Sequence, residues 1–197
     1  MNEKRKYFNS LAEKWDKIMP VFSDEKFRMH LSELKISSDD RILDIGAGTG
    51  ILRRHLINQG VKFKNIVAID IAEQMLKNYR MKFSEHMNLV CSDAHYISLH
   101  NCSFDKIICF SAFPHFKDKK KVLEEFRRLL KKEGKILILH FDSSSDLNSM
   151  HGKYGTVVEK DLLPDINELK KIICDMGFIQ IRLTEKKGLY FALFQKK

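Results

Sequence analysis

Apolar positions along the chain follow two alternating periods. Short, nearly continuous apolar runs at 41–45, Asn65–Ile69, Leu89–Val90, Phe104–Phe110 and Lys135–Phe141 are the mark of strands buried on both faces. Between them, apolar residues recur every three or four positions, as a helix with one buried face requires. This spacing predicts helices over 3–18 and 24–34, from Thr49 to Gly60, and through Met75, Leu76 and Tyr79. A further helix carries Val122, Leu123, Phe126, Leu129 and Leu130 to a stop at Gly134, and another spans 165–176 with its stop at Gly177. Pro20 separates the first two helices. Two final strands, 178–183 and 189–195, are joined only by Thr184–Gly188. Parallel strands need a crossover of about a dozen residues or more, so this last pair must be an antiparallel hairpin. The pattern is that of an α/β chain without internal repeats or a linker.

The first strand runs into Asp44-Ile45-Gly46-Ala47-Gly48-Thr49-Gly50, and Asp70 follows at the end of the second strand. Glycines let the chain turn sharply and bring bare backbone against a ligand. An acid at the neighbouring strand tip can accept hydrogen bonds from both hydroxyls of a ribose. Together these features predict bound adenosine. A dinucleotide fingerprint would place a further glycine where this chain has Ile51, and Asp44 puts a negative charge where a diphosphate would sit. The predicted nucleoside cofactor therefore lacks phosphates.

This D-x-G-x-G-x-G run resembles motif I of the class I S-adenosylmethionine-dependent methyltransferases, and the order of elements keeps the resemblance through nearly the whole chain. The resemblance implies a single Rossmann-like, doubly wound, seven-stranded sheet with an antiparallel last strand. It implies S-adenosyl-L-methionine as cofactor and S-adenosyl-L-homocysteine as product. Gly46, Ala47 and Gly48 would line the amino-acid part, Asp70 would hold the ribose, and Ile71 and Met75 would border the adenine. Asp93 with Ala94 matches the position whose carboxylate receives the adenine amino group; a local turn cap is the alternative for Asp93. For Met75 the alternative is core packing. Phe110 and Ser111 open the segment Phe110-Ser111-Ala112-Phe113-Pro114-His115-Phe116, which in relatives passes under the sulfonium and faces the acceptor.

The N-P-P-Y or D-P-P-Y tetrapeptide of many nucleic-acid and protein-amide methylating members is absent here. The resemblance thus moves toward the small-molecule branch that includes the ubiquinone and menaquinone biosynthesis methyltransferases. The aromatic-rich opening Tyr7–Asp16 fits that branch, and it implies that residues 1–34 of a single 1–197 domain form a helical lid with Trp15 near the substrate. An ordinary amphipathic helix packed on the sheet is the alternative for Trp15. Residues 142–164, with Ser143, Ser144, Ser145, Asn148 and Tyr154, occupy the place where relatives build the acceptor pocket. His115, His140 and His151 fall near this rim; an imidazole is the natural proton acceptor near neutral pH, so His115 is assigned as catalytic base and His140 and His151 as substrate-binding. No metal ligand set is assigned, although a metal or metal-bearing substrate held by these three histidines is a minor alternative.

Composition bounds the picture. At 197 residues the chain suits one domain that buries roughly 70% of its unfolded surface. No eighteen-residue apolar run spans a membrane and no signal peptide opens the chain. The four cysteines have no C-x-x-C spacing, so free thiols in the reducing cytoplasm are expected. The net charge of +9 raises nucleic acid as a partner, but the lysines at 117–121 and 131–135 read as solvated helix flanks. A small-molecule acceptor is therefore expected, with an RNA methyltransferase or a non-catalytic cofactor-binding module as alternatives.

Overall fold

The computed structural model describes residues 3–83, 87–153 and 156–197. Its seven strands are β1 (Ile42–Ile45), β2 (Ile66–Asp70), β3 (Asn88–Cys91), β4 (Phe104–Phe110), β5 (Leu130–His140), β6 (Phe178–Lys186) and β7 (Leu189–Lys196). They form one sheet in the order β3-β2-β1-β4-β5-β7-β6, and β7 alone runs antiparallel to its neighbours. The reversed hairpin is the one required by the short connection, and its turn narrows to Lys187 and Gly188.

Helices α1 (Glu3–Leu11), α2 (Trp15–Ile18), α3 (Asp24–Leu31), α4 (Ile51–Asn58), α5 (Glu73–Lys82), α6 (Lys119–Leu129), α7 (Ser144–His151) and α8 (Ile166–Asp175) complete the architecture. Successive strand residues point to opposite faces, so each central strand feeds two cores. Leu43, Ile45, Ile107 and Ile138 pack with Phe126 of α6 and Leu169 and Ile173 of α8. Ile42, Ile66, Ile108 and Leu137 pack with Phe27 and Leu31 of α3 and Leu52 and Leu56 of α4. This two-sided burial explains why β1 and β2 read as continuous apolar runs rather than as an alternation. Helix starts follow side-chain caps: Ser23, Asp118, Ser143 and Asp165 each accept a backbone N–H from the first turn. Among the described residues no helix is long and apolar enough to cross a membrane.

Several boundaries differ from the sequence expectation: β6 runs on to Lys186, α3 stops at Leu31, and two further changes are larger. The helix expected over 3–18 is broken between Leu11 and Trp15. There the Asn78 side-chain amide donates to the Ala12 carbonyl at 2.7 Å, competing for an acceptor that a continuous helix would use. Leu130, read as helical, is instead the first residue of β5; the register shifts between Phe104 and Lys106, and residues 131–134 form a bulge on the β5 side.

Strand order reverses between β1 and β4, since β1 leads to β2 on one side and β4 lies on the other. Loops leaving the carboxyl ends of these strands diverge and open a crevice, and there the chemistry-bearing residues gather.

Candidate active site

The turn after β1 is held against its neighbours by backbone bonds. Gly46 and Ala47 N–H both donate to the Ile69 carbonyl, at 2.8 and 3.0 Å. Gly46 has φ +69°, and a Cβ on it would lie 2.3 Å from the Ala112 Cβ, so only glycine lets the turn approach the exit of β4 this closely. Gly48 N–H donates to one Asp70 carboxylate oxygen and Ala72 N–H to the other, both at 2.8 Å. Asp70 is thereby fixed in direction while each oxygen keeps a lone pair for a ligand. Burial raises the Asp70 pKa, against the bonds from Ala72 and Gly48. Asp44 is 1% exposed and its Oδ2 has no hydrogen-bond partner among the described residues. Burial, followed by the nearby Asp70 carboxylate, pushes the Asp44 pKa up to about 8, while buried Arg53 works in the opposite direction.

A cavity of about 500 Å³ opens beside this turn. Gly46, Ala47, Gly48, Asp70, Ile71, Met75, Asp93, Ala94, Phe110 and Ser111 all line it, as does Asp44. Met75 also packs with Ala12, Ala72, Phe8 and Trp15, so it serves the wall and the local core together. Asp93 accepts the His95 N–H at 3.0 Å, the turn-capping contact named as its alternative, while still facing the cavity. Ser111 holds a left-handed φ of 52° and donates its N–H to the Leu139 carbonyl at 3.0 Å, a strained conformation at the cavity wall.

The N-terminal segment covers this end. Phe8, Trp15 and Met19 line the cavity, and Trp15 Nε1 would lie 3.5 Å from a Cβ on Gly48. Asp16, given no role by the sequence pattern, accepts the Thr49 hydroxyl at 2.6 Å and pairs with Lys82 at 2.5 Å. Asn9 Oδ1 accepts the Gln74 N–H at 3.0 Å, close to the start of α5. The segment is therefore fastened to both the glycine turn and α5.

His115 stands at the other end, on the 3-10 turn Phe113–His115 after β4. Its Nδ1 lies 2.7 Å from Asp161 Oδ2, and Lys4 pairs with Asp161 Oδ1 while donating to the His115 carbonyl at 2.9 Å. Phe8 meets the imidazole edge-on at 5.0 Å. Burial lowers the His115 pKa, with Asp161 opposing. For Asp161 burial acts upward, but the bonds from His115 and Lys4 hold it below the usual carboxylate value. Asp161 lies 46 residues beyond His115, and no local spacing signals the pair.

The other assigned histidines sit behind the wall rather than on it. His151 stacks on His115 at 5.3 Å and its Nδ1 meets the Asp161 carbonyl at 2.7 Å. His140 is 2% exposed, its Nε2 has no hydrogen-bond partner among the described residues, and it packs edge-on to Tyr190. Burial, with His115 and His151 nearby, drives its pKa down to about 3. Among the described residues no three His, Cys, Asp or Glu side chains are grouped to hold a metal. In the 142–164 segment, Ser143 caps α7, Ser144 bonds Glu185, and Asn148 bonds the Leu163 backbone. The part reaching the cavity is instead Val157, Lys160 and Asp161; Tyr154 lies outside the described residues. Lys117 and Lys119, expected on a solvated flank, also line the cavity.

Comparison with known proteins agrees with this geometry. A family described as "Methyltransferase domain" matches residues 43–138. The chain is 33% identical over 138 residues to the demethylmenaquinone methyltransferase of Thermotoga maritima, a match covering 67% of this chain and 58% of that relative, which is under two thirds of its length. It is 30% identical to the ubiquinone/menaquinone biosynthesis C-methyltransferase of Teredinibacter turnerae, covering 94% of this chain and 87% of the relative. Among solved structures, a SAM-dependent methyltransferase from Aquifex aeolicus superposes with a TM-score of 0.71 at 21% identity, covering 95% of this chain and 97% of the other, a likeness of fold.

Proposed function

The chain belongs to the class I S-adenosylmethionine-dependent methyltransferases, close to the ubiquinone/menaquinone biosynthesis branch, and we propose that it transfers a methyl group from S-adenosylmethionine to a small-molecule acceptor by in-line displacement. The observation that carries this reading is a single cavity with the Gly46–Gly50 turn and Asp70 at one end and the His115–Asp161 pair at the other. The cofactor end suits a cation. Asp44 presents a buried carboxyl oxygen with no partner among the described residues beside the Asp70 carboxylate; with its pKa pushed up to about 8 it is mostly neutral in the empty site, and a sulfonium or ammonium group brought there would favour its ionised form, whereas a diphosphate would meet the Asp70 charge. When bound, the cofactor supplies a methyl group already made electrophilic by its sulfonium.

The protein's part is to bind, align and exclude water. Asp70 would accept from the ribose hydroxyls, Ile71 and Met75 would border the adenine, and Asp93 would receive its amino group. Of the expected 1–34 lid, the stretch from Glu3 to Met19 covers the cavity, with Phe8 and Trp15 keeping water from the reacting atoms, while Phe27, Leu31 and Leu34 pack into the core instead; the 157–161 stretch closes the acceptor side. Alignment of this kind can supply about 7 to 11 kcal/mol of barrier reduction. His115 takes the proton from an acceptor that must lose one. An ionised Asp161 can only accept, so neutral His115 carries its proton on Nδ1 and leaves the Nε2 lone pair available. His140 and His151 support this imidazole from behind and do not themselves contact the acceptor.

The test is incubation with methyl-labelled cofactor and cell extract, followed by separation of metabolites from RNA. Label in the metabolite pool is the expected result; label in RNA would overturn the reading. Because the His115 pKa is lowered, its unprotonated form persists below pH 6.5, and the acid limb of the rate profile should lie under that value. His115→Ala should remove that limb and reduce turnover by about 10² to 10⁴ with cofactor affinity unchanged. Identical profiles for variant and parent would exclude His115 as the base.

A further inference from the structure

We propose that the acceptor is a small anion, bearing a carboxylate or phosphate that is read by Lys119 with Lys117 and Lys160 at the His115 end of the cavity. This rests on the reading of the cavity as a site of methyl transfer to a small molecule.

Charge is segregated along the wall. Lys4, Lys117, Lys119 and Lys160 line the cavity with His115, Phe116 and Asp161, while no lysine or arginine belongs to the stretch formed by the glycine turn, Asp70, Ile71 and Asp93. Exposed Glu3, next to Lys4, also lines the cavity, while Asp161 is already engaged because it gives one oxygen to Lys4 and the other to His115. Lys119 is partly buried, and its ammonium donates to the carbonyls of Pro114 at 3.4 Å and Phe116 at 3.1 Å. Two of its three donors thus meet neutral oxygens, and among the described residues it makes no ion pair with a carboxylate. Burial works against the Lys119 charge, with Asp161 and Glu168 acting in its favour without pairing directly with its ammonium, and an anionic ligand in contact would offset the remaining cost.

Neighbouring charges add to the effect. Lys119, Lys120 and Lys121 occupy the first turn of α6, where the positive end of a helix disfavours cations; the acid there is the N-cap Asp118, whose carboxylate accepts the Lys121 backbone N–H. Lys117 and Lys160 are exposed at the mouth and make no ion pair among the described residues, so they are placed to draw an anion inward. RNA would be met by basic residues tracking along an open surface. Here the lysines ring a cavity of about 500 Å³, the size of one small ligand.

The test sorts the labelled products of the extract reaction by charge on an ion-exchange column, and measures a Lys117→Gln/Lys119→Gln double variant alongside Lys119→Arg. Label in small anions is expected. The double variant should raise the acceptor KM about tenfold or more, with the cofactor Kd unchanged, and Lys119→Arg should retain most of the parent KM. Label in neutral or cationic small molecules overturns the inference and leaves small-molecule methyl transfer standing. An unchanged acceptor KM overturns it as well, as does a loss confined to cofactor affinity, which would assign these lysines to the cofactor. Label in RNA, in protein or in no pool overturns the underlying reading and this inference with it.

Discussion

Asp70→Ala should weaken S-adenosylmethionine binding by about 3 kcal/mol or more, over a hundredfold in Kd, because it removes two charge-assisted bonds to the ribose. The structure adds a second reason. The same carboxylate receives the N–H groups of Gly48 and Ala72, so its loss leaves two donors unpaired and loosens the turn that must cradle the cofactor. Asp70→Asn should rescue little, since its amide would set a donor against one of those N–H groups. Titration calorimetry on the folded variants reads the effect directly. Parental affinity in Asp70→Ala would remove this residue from the site.

Gly46→Ala should cost about 2 to 5 kcal/mol of stability. A side chain at φ +69° is strained, and its Cβ would press on Ala112 at 2.3 Å, with both terms acting together. Relief requires the β1 turn to move away from β4, so cofactor affinity should fall in the surviving folded fraction. Gly60→Ala is the control: it shares a positive φ, +85°, but a Cβ there meets nothing within 4 Å, so it carries strain without a clash. Urea denaturation of both variants separates the two terms. Equal losses at the two positions would show that close approach at Gly46 contributes nothing.

Much of this architecture is legible in the chain because burial on both faces writes β1, β2 and the second half of β4 as nearly continuous apolar runs, and the short 184–188 link admits only a hairpin. The cofactor end is legible for a similar reason. Its residues sit at strand ends in fixed order, so local spacing places Gly46, Gly48, Asp70 and Asp93 in one crevice. The acceptor end is assembled from contacts distant in sequence, and no spacing encodes them. Lys4 reaches Asp161 across 157 residues, and His115 reaches it across 46. The same holds for histidines: position after a strand placed His115 on the wall but could not distinguish it from His140, whose side chain turns into the core. At the break after Leu11 the Ala12 carbonyl takes a bond from Asn78 of α5, a contact 66 residues away that no local spacing signals.

The most direct measurement is a crystal structure of the protein soaked with S-adenosyl-L-homocysteine. The account requires both ribose hydroxyls within hydrogen-bonding distance of Asp70, the adenine between Ile71 and Met75, and the thioether directed toward His115. A crevice that leaves the thioether unbound, yet accepts NADH with its pyrophosphate over Gly48 and Gly50, would contradict it.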